Sequence, residues 1–407
     1  MEYGECKSKL REAVLTKLDY TREQTDEEVF SIIDDVILEW EQGRLLPISV
    51  SRRLRTELFD SLRRLDILQN LVEDTSVTEI MINGPNHIFI EKDGTLTKWE
   101  QCFESEEKLK DVIQQIVAGC NRVVNEASPI VDARLNNGSR VNIVLDPIAL
   151  NGPIVTIRRF PDKPIDMDRL IRNHSITAQV AEFLKTLVIA KYNIFISGGT
   201  GSGKTTFLNV LSGFIPKNER IITIEDSAEL QLQGLENLVR LETRNSNVEG
   251  CREITMRELI KSSLRMRPDR IIVGEVRGAE AADMVTCLNT GHEGSLSTGH
   301  ANSAKDMLAR LETMILMGMA IPLEAIRRQI ASGIDILIHL GRLRDGSRKV
   351  LEILEVIGYE EGEFVLNPLF RFEETEAEEK DCVMGQLCKK GDLINDKKLG
   401  AAGFGRM

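Results

Sequence analysis

Residues 198–206 read GGTGSGKTT and carry the strongest chemical signal in the chain. The run follows the apolar segment NIFIS (193–197) and precedes the helical run FLNVLSGFI (207–215). Gly198, four residues, then Gly203-Lys204-Thr205 is the spacing of a P-loop in its strand–loop–helix context. Gly198, Gly199, Gly201 and Gly203, with Thr200 and Ser202 among them, let backbone N–H groups turn inward around phosphate oxygens. The helix N-terminus adds its partial positive charge. Lys204 is expected to reach the β- and γ-phosphates and the Thr205 hydroxyl to ligate Mg²⁺, with Thr206 beside it in the first turn. The expected ligands are therefore ATP and Mg²⁺.

Such a loop needs carboxylates at the ends of neighbouring strands. RIIVGE (270–275) ends in Glu275, preceded by Gly274 where many P-loop proteins carry Asp. IEDSAEL (224–230) closes another strand with Glu225, Asp226 and Glu229. One cluster can help hold Mg²⁺ while the other polarises the attacking water. Glu275 and Asp226 are the candidate metal ligands and Glu225 and Glu275 the candidate bases; the sequence leaves the base open between the two glutamates.

NTGHEGSLSTGHANS (289–303) holds two of the five histidines, His292 and His300. Zinc would need three or four ligands, and the region offers two histidines eight apart with no CxxC. A hydrolytic triad would need a nucleophile elbow, which is absent. A third reading is a polar switch segment beside the nucleotide, whose imidazoles bond a phosphate or a carboxylate and report its loss.

These groups need rigid elements to hold them. From about 176 the chain alternates strands (193–197, 220–225, 270–275) with helices, which implies a parallel sheet. Thr255-x-x-Glu258 is a capping box opening a helix expected to run through Arg267, where Pro268 ends it. Residues 1–70 read as a helical extension, with Phe30, Ile32, Ile33, Val36, Ile37 and Trp40 at helical spacing. Residues 71–160 read as a compact α+β domain of short strands, a helix over 106–120 and a hairpin around Asn137-Gly138. Two prolines mark a linker over 161–175, and 371–407, with its acidic run and Gly-rich end, reads as a loosely ordered tail after a nucleotide-binding domain over 176–370. The Met- and Ile-rich stretch 308–340 reads chiefly as core.

The 407 residues carry a formal charge of −12, which argues against broad nucleic-acid binding. No apolar run approaches a membrane span, and MEYGECKSKLREAV lacks the apolar region of a signal peptide. Seven scattered cysteines fit reduced thiols in a cytoplasmic protein.

GGTGSGKTT, IEDSAEL, RIIVGEVRG and TGHEGSLSTGHA resemble, in this order, the Walker A, Asp, Walker B and His boxes of the type II/type IV secretion ATPases. VTEIMINGP (77–85), VDARLNNGSRVN (131–142), RLETRNSNVEG (240–250) and LRMRPDRIIVGEVRGAEA (264–281) look like the CpaF-type subgroup, which powers Flp/Tad pili. The resemblance implies an α/β fold with a RecA-like P-loop NTPase domain behind a smaller α+β, PAS-like domain. It implies a homohexameric ATPase, with nucleotide between the two domains and a cytoplasmic location on the inner face of the cell membrane, against a membrane platform protein. It further implies that Arg134 and Arg140, with Arg158 and Arg159 behind them, approach the phosphates, and that His292 and His300 couple phosphate state to domain position. A conjugation-type secretion ATPase, a DNA translocase and an inactive nucleotide-bound scaffold are the competing readings.

Overall fold

The computed structural model describes residues 3–41, 46–92, 94–120, 122–135, 137–159, 165–244, 252–375 and 383–405. The chain divides into two compact units, Met1–Asp162 and Lys163–Met407.

In the first unit, α1 (Tyr3–Lys17), α2 (Asp26–Glu41) and α3 (Ile48–Arg63) bury one face each. Leu10, Val14, Ile33, Ile37, Leu54 and Leu58 meet in one apolar cluster. α4 (Leu68–Glu73) leads into β1 (Val77–Asn83), β2 (Ile88–Lys92) and β3 (Thr95–Lys98); α5 (Glu106–Gly119) and the strands β4 (Ile130–Arg134), β5 (Arg140–Val144) and β6 (Ile154–Arg158) follow. The sheet order is β3-β2-β1-β6-β5-β4. Ser105 caps α5 by accepting from the Lys108 N–H, satisfying one donor the helix leaves open. The helical extension is not a separate body: the buried Lys108 Nζ donates to the Ser61 carbonyl at 2.8 Å and lies 3.7 Å from Asp66.

The second unit opens with α6 (Met167–Arg172) and α7 (Ala178–Ile189). α6 lies in the expected linker, yet Leu170 packs into the core of this unit; residues 160–164 fall outside the described ones. Then come β7 (Ile194–Gly198), α8 (Lys204–Ser212), β8 (Ile221–Glu225), β9 (Leu238–Glu242), α9 (Met256–Ser263), β10 (Arg270–Val276), α10 (Glu280–Leu288) and β11 (Leu296–His300). After α11 (Ala304–Gly318) and α12 (Leu323–Gly333) the chain finishes with β12 (Ile336–Arg342), β13 (Arg348–Glu360), β14 (Glu363–Thr375), β15 (Met384–Lys389) and α13 (Lys397–Ala401).

The nine strands run β15-β14-β13-β12-β7-β11-β10-β8-β9. From β12 to β9 all neighbours are parallel, whereas β13 to β15 are antiparallel. Both faces are covered, so the central strands are continuous apolar runs. Alternation along β7 shows the division: Ile194 and Ile196 pack with α7 and α8, and Phe195 packs with α9 to α12 on the other face. Met307 and Met314 are buried in that second layer, while Met317 and Met319 are exposed.

Two expectations change here. α9 starts with its capping box but ends at Ser263, four residues before Arg267, whose φ of 55° lies in the left-handed region. The residue before a proline is pushed out of the α region, and the chain unwinds ahead of it. The tail is not loose where it is described: β15 adds an antiparallel strand to the sheet edge, and Leu399 is buried in the core. The buried Glu355 carboxylate accepts from the N–H groups of Ile394 (2.9 Å) and Asn395 (2.7 Å). Tyr192 donates to the Asn395 carbonyl at 2.6 Å, and Lys398 pairs with Asp335 at 2.7 Å. Partners 39 to 203 residues away hold this segment, which local composition does not reveal. Residues 376–382 of the acidic run lie outside the described ones.

Candidate active site

The phosphate-binding run sits where β7 ends. Gly198 closes the strand because a Cβ there would lie 2.5 Å from both the Leu340 carbonyl oxygen and Ser202 Oγ. Gly201 and Gly203 have φ of +70° and +94°, a region that disfavours any residue with a Cβ. Gly199 and Thr200 lie between them and the strand, and Ser202 Oγ donates to the Gly199 carbonyl at 2.9 Å. Lys204 opens α8 almost fully buried, and its Nζ donates back to the same carbonyl at 2.9 Å. Thr205 and Thr206 follow half-buried in the first turn, at the positive end of the helix.

Glu225 ends β8 with only 3% of its surface exposed. Its Oε2 accepts from the N–H groups of Glu229 (2.7 Å) and Leu230 (2.8 Å), while its buried Oε1 has no hydrogen-bond partner. Burial pushes its pKa above the ordinary carboxylate value, and the two N–H donors resist that rise. Gly274 explains the missing Asp of the P-loop pattern: a Cβ there would approach Glu225 Cγ to 3.0 Å. Glu229 contributes its backbone, and Asp226 lies exposed, 3.6 Å from Arg277.

Glu275, near the end of β10, accepts from Arg277 at 2.8 Å through Oε2. Its Oε1 lies 2.9 Å from His300 Nε2, off line for a hydrogen bond. His300 ends β11 in register with Gly198 of β7, so the parallel ladder delivers it to the P-loop. Its Nδ1 is 3.2 Å from Lys204 Nζ and must accept, which leaves the proton on Nε2 facing Glu275. Burial lowers its pKa first; Glu275 raises it, and Lys204, Arg277 and Arg310 lower it further, so the imidazole is neutral. Lys204, His300, Glu275, Arg277 and Asp226 thus form one polar line across the ends of four elements.

His292 does not join this line. Ser295 Oγ donates to its carbonyl at 2.7 Å, and the N–H groups of Gly294 and Ser295 are held by Asn193 at the start of β7. It therefore lies toward the opposite ends of the strands, with the length of β11 between it and His300, roughly 13 Å at 3.3 Å per residue. Strand direction separates two histidines that the sequence places in one segment.

Arg134 and Arg140 face each other across the β4–β5 hairpin, and Arg158 pairs with Arg140 in the next strand. Arg134 donates to the Gly138 carbonyl at 3.1 Å, and Arg140 lies 3.6 Å from Asp132. Arg159 donates to the Asp74 carbonyl. The structure gathers these arginines together within the first unit; the P-loop belongs to the second.

Two residues that the sequence reading missed also touch the loop. Arg348 of β13 donates to the Gly201 carbonyl at 2.8 Å. His339 of β12, buried, has Nδ1 2.9 Å from Ser197 Oγ, and the Asn302 backbone acts to raise its pKa. It thereby ties β12 to the strand before the P-loop. A polar residue inside the apolar run Ile336–Leu340 was the available signal.

The residues fit a nucleotide with Mg²⁺. Among the described residues no three His, Cys, Asp or Glu side chains form a metal cage, and Mg²⁺ is an ion usually held by one or two protein groups plus substrate phosphates. The unpartnered Glu225 Oε1 is an acceptor in need of a ligand or a water.

A family described as type II/IV secretion system protein matches residues 62–384. A putative conjugal transfer protein of Mycobacterium tuberculosis is 34% identical over 308 residues, covering 74% of this chain and 86% of its own length. The conjugal transfer protein TrbB of Rhizobium radiobacter is 32% identical over 328 residues, covering 79% and 96%. Among solved structures, the Legionella pneumophila ATPase DotB shares the fold, with a TM-score of 0.51 at 22% identity over 71% of this chain and 79% of that one. The ordered boxes on a parallel sheet, the extent of the match and these relatives agree: the chain belongs to the type II/IV secretion system protein family.

Proposed function

We propose that the chain is the ATP-hydrolysing motor subunit of a secretion or pilus machine. The observation that supports it most directly is the line from Lys204 through His300 to Glu275, set beside a loop whose glycines are required by geometry. In this reading the P-loop N–H groups and Lys204 hold the phosphates. Thr205, Glu275 and Asp226 would hold Mg²⁺, which would neutralise charge developing on the phosphates. Glu225 polarises the attacking water: burial raises its pKa, whereas Glu275 is engaged by Arg277. Glu275, tied to Arg277 and His300, positions the metal side. His300 links Lys204 to Glu275, so loss of the terminal phosphate alters the charge that both feel.

Arg134 and Arg140, always charged and fork-shaped, are proposed to neutralise the transferring group from the first unit, of this or a neighbouring subunit. The working form is a homohexamer, cytoplasmic and bound peripherally to the inner face of the membrane through a platform protein. Among the described residues no helix is long and apolar enough to cross a membrane, so a membrane task would need such a partner. No stable nucleic-acid complex is expected at a charge of −12.

For the machine itself, the resemblance to the CpaF-type subgroup points to Flp/Tad pilus assembly. The conjugal transfer names of the relatives favour a second reading, a conjugation-type secretion ATPase. Size-exclusion mass with and without ATP tests the motor: assembly near six subunits with ATP supports it, and a monomer in both conditions counts against it. Deletion of the gene followed by assays of piliation and of mating separates the two machines.

A further inference from the structure

A cavity of about 810 Å³ opens beside the start of the P-loop. Gly199 and Thr200 line one side, Arg277 and His300 the ends of β10 and β11, and Asp306 and Arg310 the facing turns of α11. Its cations differ. Arg277 is already engaged by Glu275 and Asp226. Arg310 makes no hydrogen bond or ion pair among the described residues. It does not fold back on Asp306, although four residues along a helix is the spacing at which such pairs form, as Glu324 and Arg328 do at 2.7 Å. Arg310 and His300 nevertheless line the same cavity. A guanidinium without a partner among the described residues therefore lines this cavity together with His300 and the P-loop backbone at Gly199 and Thr200, with room for an anion.

We propose that Arg310 is a ligand for the terminal phosphoryl group of a nucleotide held in the P-loop, and that this cavity is where that group resides after cleavage. The proposal rests on the ATP reading of the loop. In the reaction a water oxygen bonds to the γ-phosphorus, and the bond from that phosphorus to the β–γ bridging oxygen breaks. The electron pair leaves with ADP, and the water's proton passes to a carboxylate and then to solvent. The product phosphate is left on the side away from ADP. An arginine suits this place because its planar fork matches two phosphate oxygens at once. Asp306, one turn earlier on α11 and of opposite charge, opposes the anion and favours its release. α11 supplies a fixed base for both, since Ser303 caps it by accepting from the Asp306 N–H.

The test compares ADP with a non-hydrolysable ATP analogue by calorimetry on the full chain and on Arg310→Ala, Arg310→Lys and Asp306→Asn. The exposed Arg310 and Asp306 can be changed without opening the core. Arg310→Ala should leave the ADP affinity within about twofold and weaken the triphosphate about tenfold, a typical loss for a charge-assisted bond to phosphate. Arg310→Lys should recover part of that loss, and Asp306→Asn should tighten triphosphate binding. Equal loss of ADP and triphosphate in Arg310→Ala, or an unchanged preference between them, overturns the inference. Failure of the unaltered chain to bind either nucleotide overturns the ATP reading and the inference together, whereas normal ATP turnover with an indifferent Arg310 overturns the inference alone.

Discussion

Lys204 Nζ and His300 Nδ1 are 3.2 Å apart, the P-loop cation and the last residue of β11 joined directly although 96 positions separate them. His300→Ala removes this acceptor and leaves the loop itself intact. Turnover should fall by roughly tenfold to hundredfold, the scale of one positioned proton-bearing group, while ADP affinity changes less than about threefold. Steady-state kinetics with a parallel binding titration reads both; equal losses would remove the sensing role.

Glu225 separates stability from activity. A carboxylate whose folded pKa is raised binds protons more readily in the folded state, so the folded protein loses stability as pH rises from the ordinary value of 4.5 toward the raised one. Glu225→Gln removes that cost and keeps an oxygen for the N–H groups of Glu229 and Leu230. At neutral pH its melting temperature should equal or exceed that of the unaltered chain, with turnover lowered by about a hundredfold or more. A clear fall in melting temperature would show that the charge itself holds the loop.

His339 predicts an acid limit. Burial lowers its pKa below the ordinary 6.5, an effect partly opposed by Glu352, Asp306 and the Asn302 backbone and reinforced by Lys204. The unfolded chain then takes up the proton first as pH falls. The contribution of His339 is complete above 6.5 and declines as pH drops from there toward the lowered value. Because raised carboxylates such as Asp335 act in the opposite direction, the informative quantity is a difference. The stability of the unaltered chain minus that of His339→Gln should be flat above pH 6.5 and shrink below it. A difference that stays constant down to pH 5 removes His339 as a titrating tie.

Arg270 is fully buried and binds Glu219 with two bonds of 2.5 and 3.0 Å, with a third to the Val188 carbonyl at 2.6 Å. This pair ties the start of β10 at the strand ends opposite the P-loop. Arg270→Ala leaves the Glu219 carboxylate with only Lys191, at 3.9 Å, and should cost about 3–5 kcal/mol in urea unfolding, whereas Arg270→Met with Glu219→Leu should cost much less. Equal losses in both variants would mean that volume, not charge, holds these strand ends.

The P-loop was legible because its chemistry fits in nine consecutive residues, and the parallel sheet because its strands are short apolar runs between helical ones. The environments of the two candidate bases were not, since the burial of Glu225 and the engagement of Glu275 by Arg277 are set by the folded packing around strands far apart in the chain. Arg310, Arg348 and His339 escaped notice because the sheet order, not the chain, brings β12, β13 and α11 to the loop. His292 shows the converse: eight positions from His300, it is carried toward the opposite strand ends by a single strand. The tail misled through composition, since its anchors, Glu355, Tyr192 and Asp335, lie far upstream.

The most direct test of the central claim is phosphate release from Mg-ATP by the purified chain, run beside Lys204→Ala and Glu225→Gln. The expected results are steady release by the unaltered chain, no nucleotide binding or release by Lys204→Ala, and nucleotide bound without release by Glu225→Gln. Release by the unaltered chain that persists in both variants, or nucleotide bound without any release in the presence and absence of membranes, would contradict it.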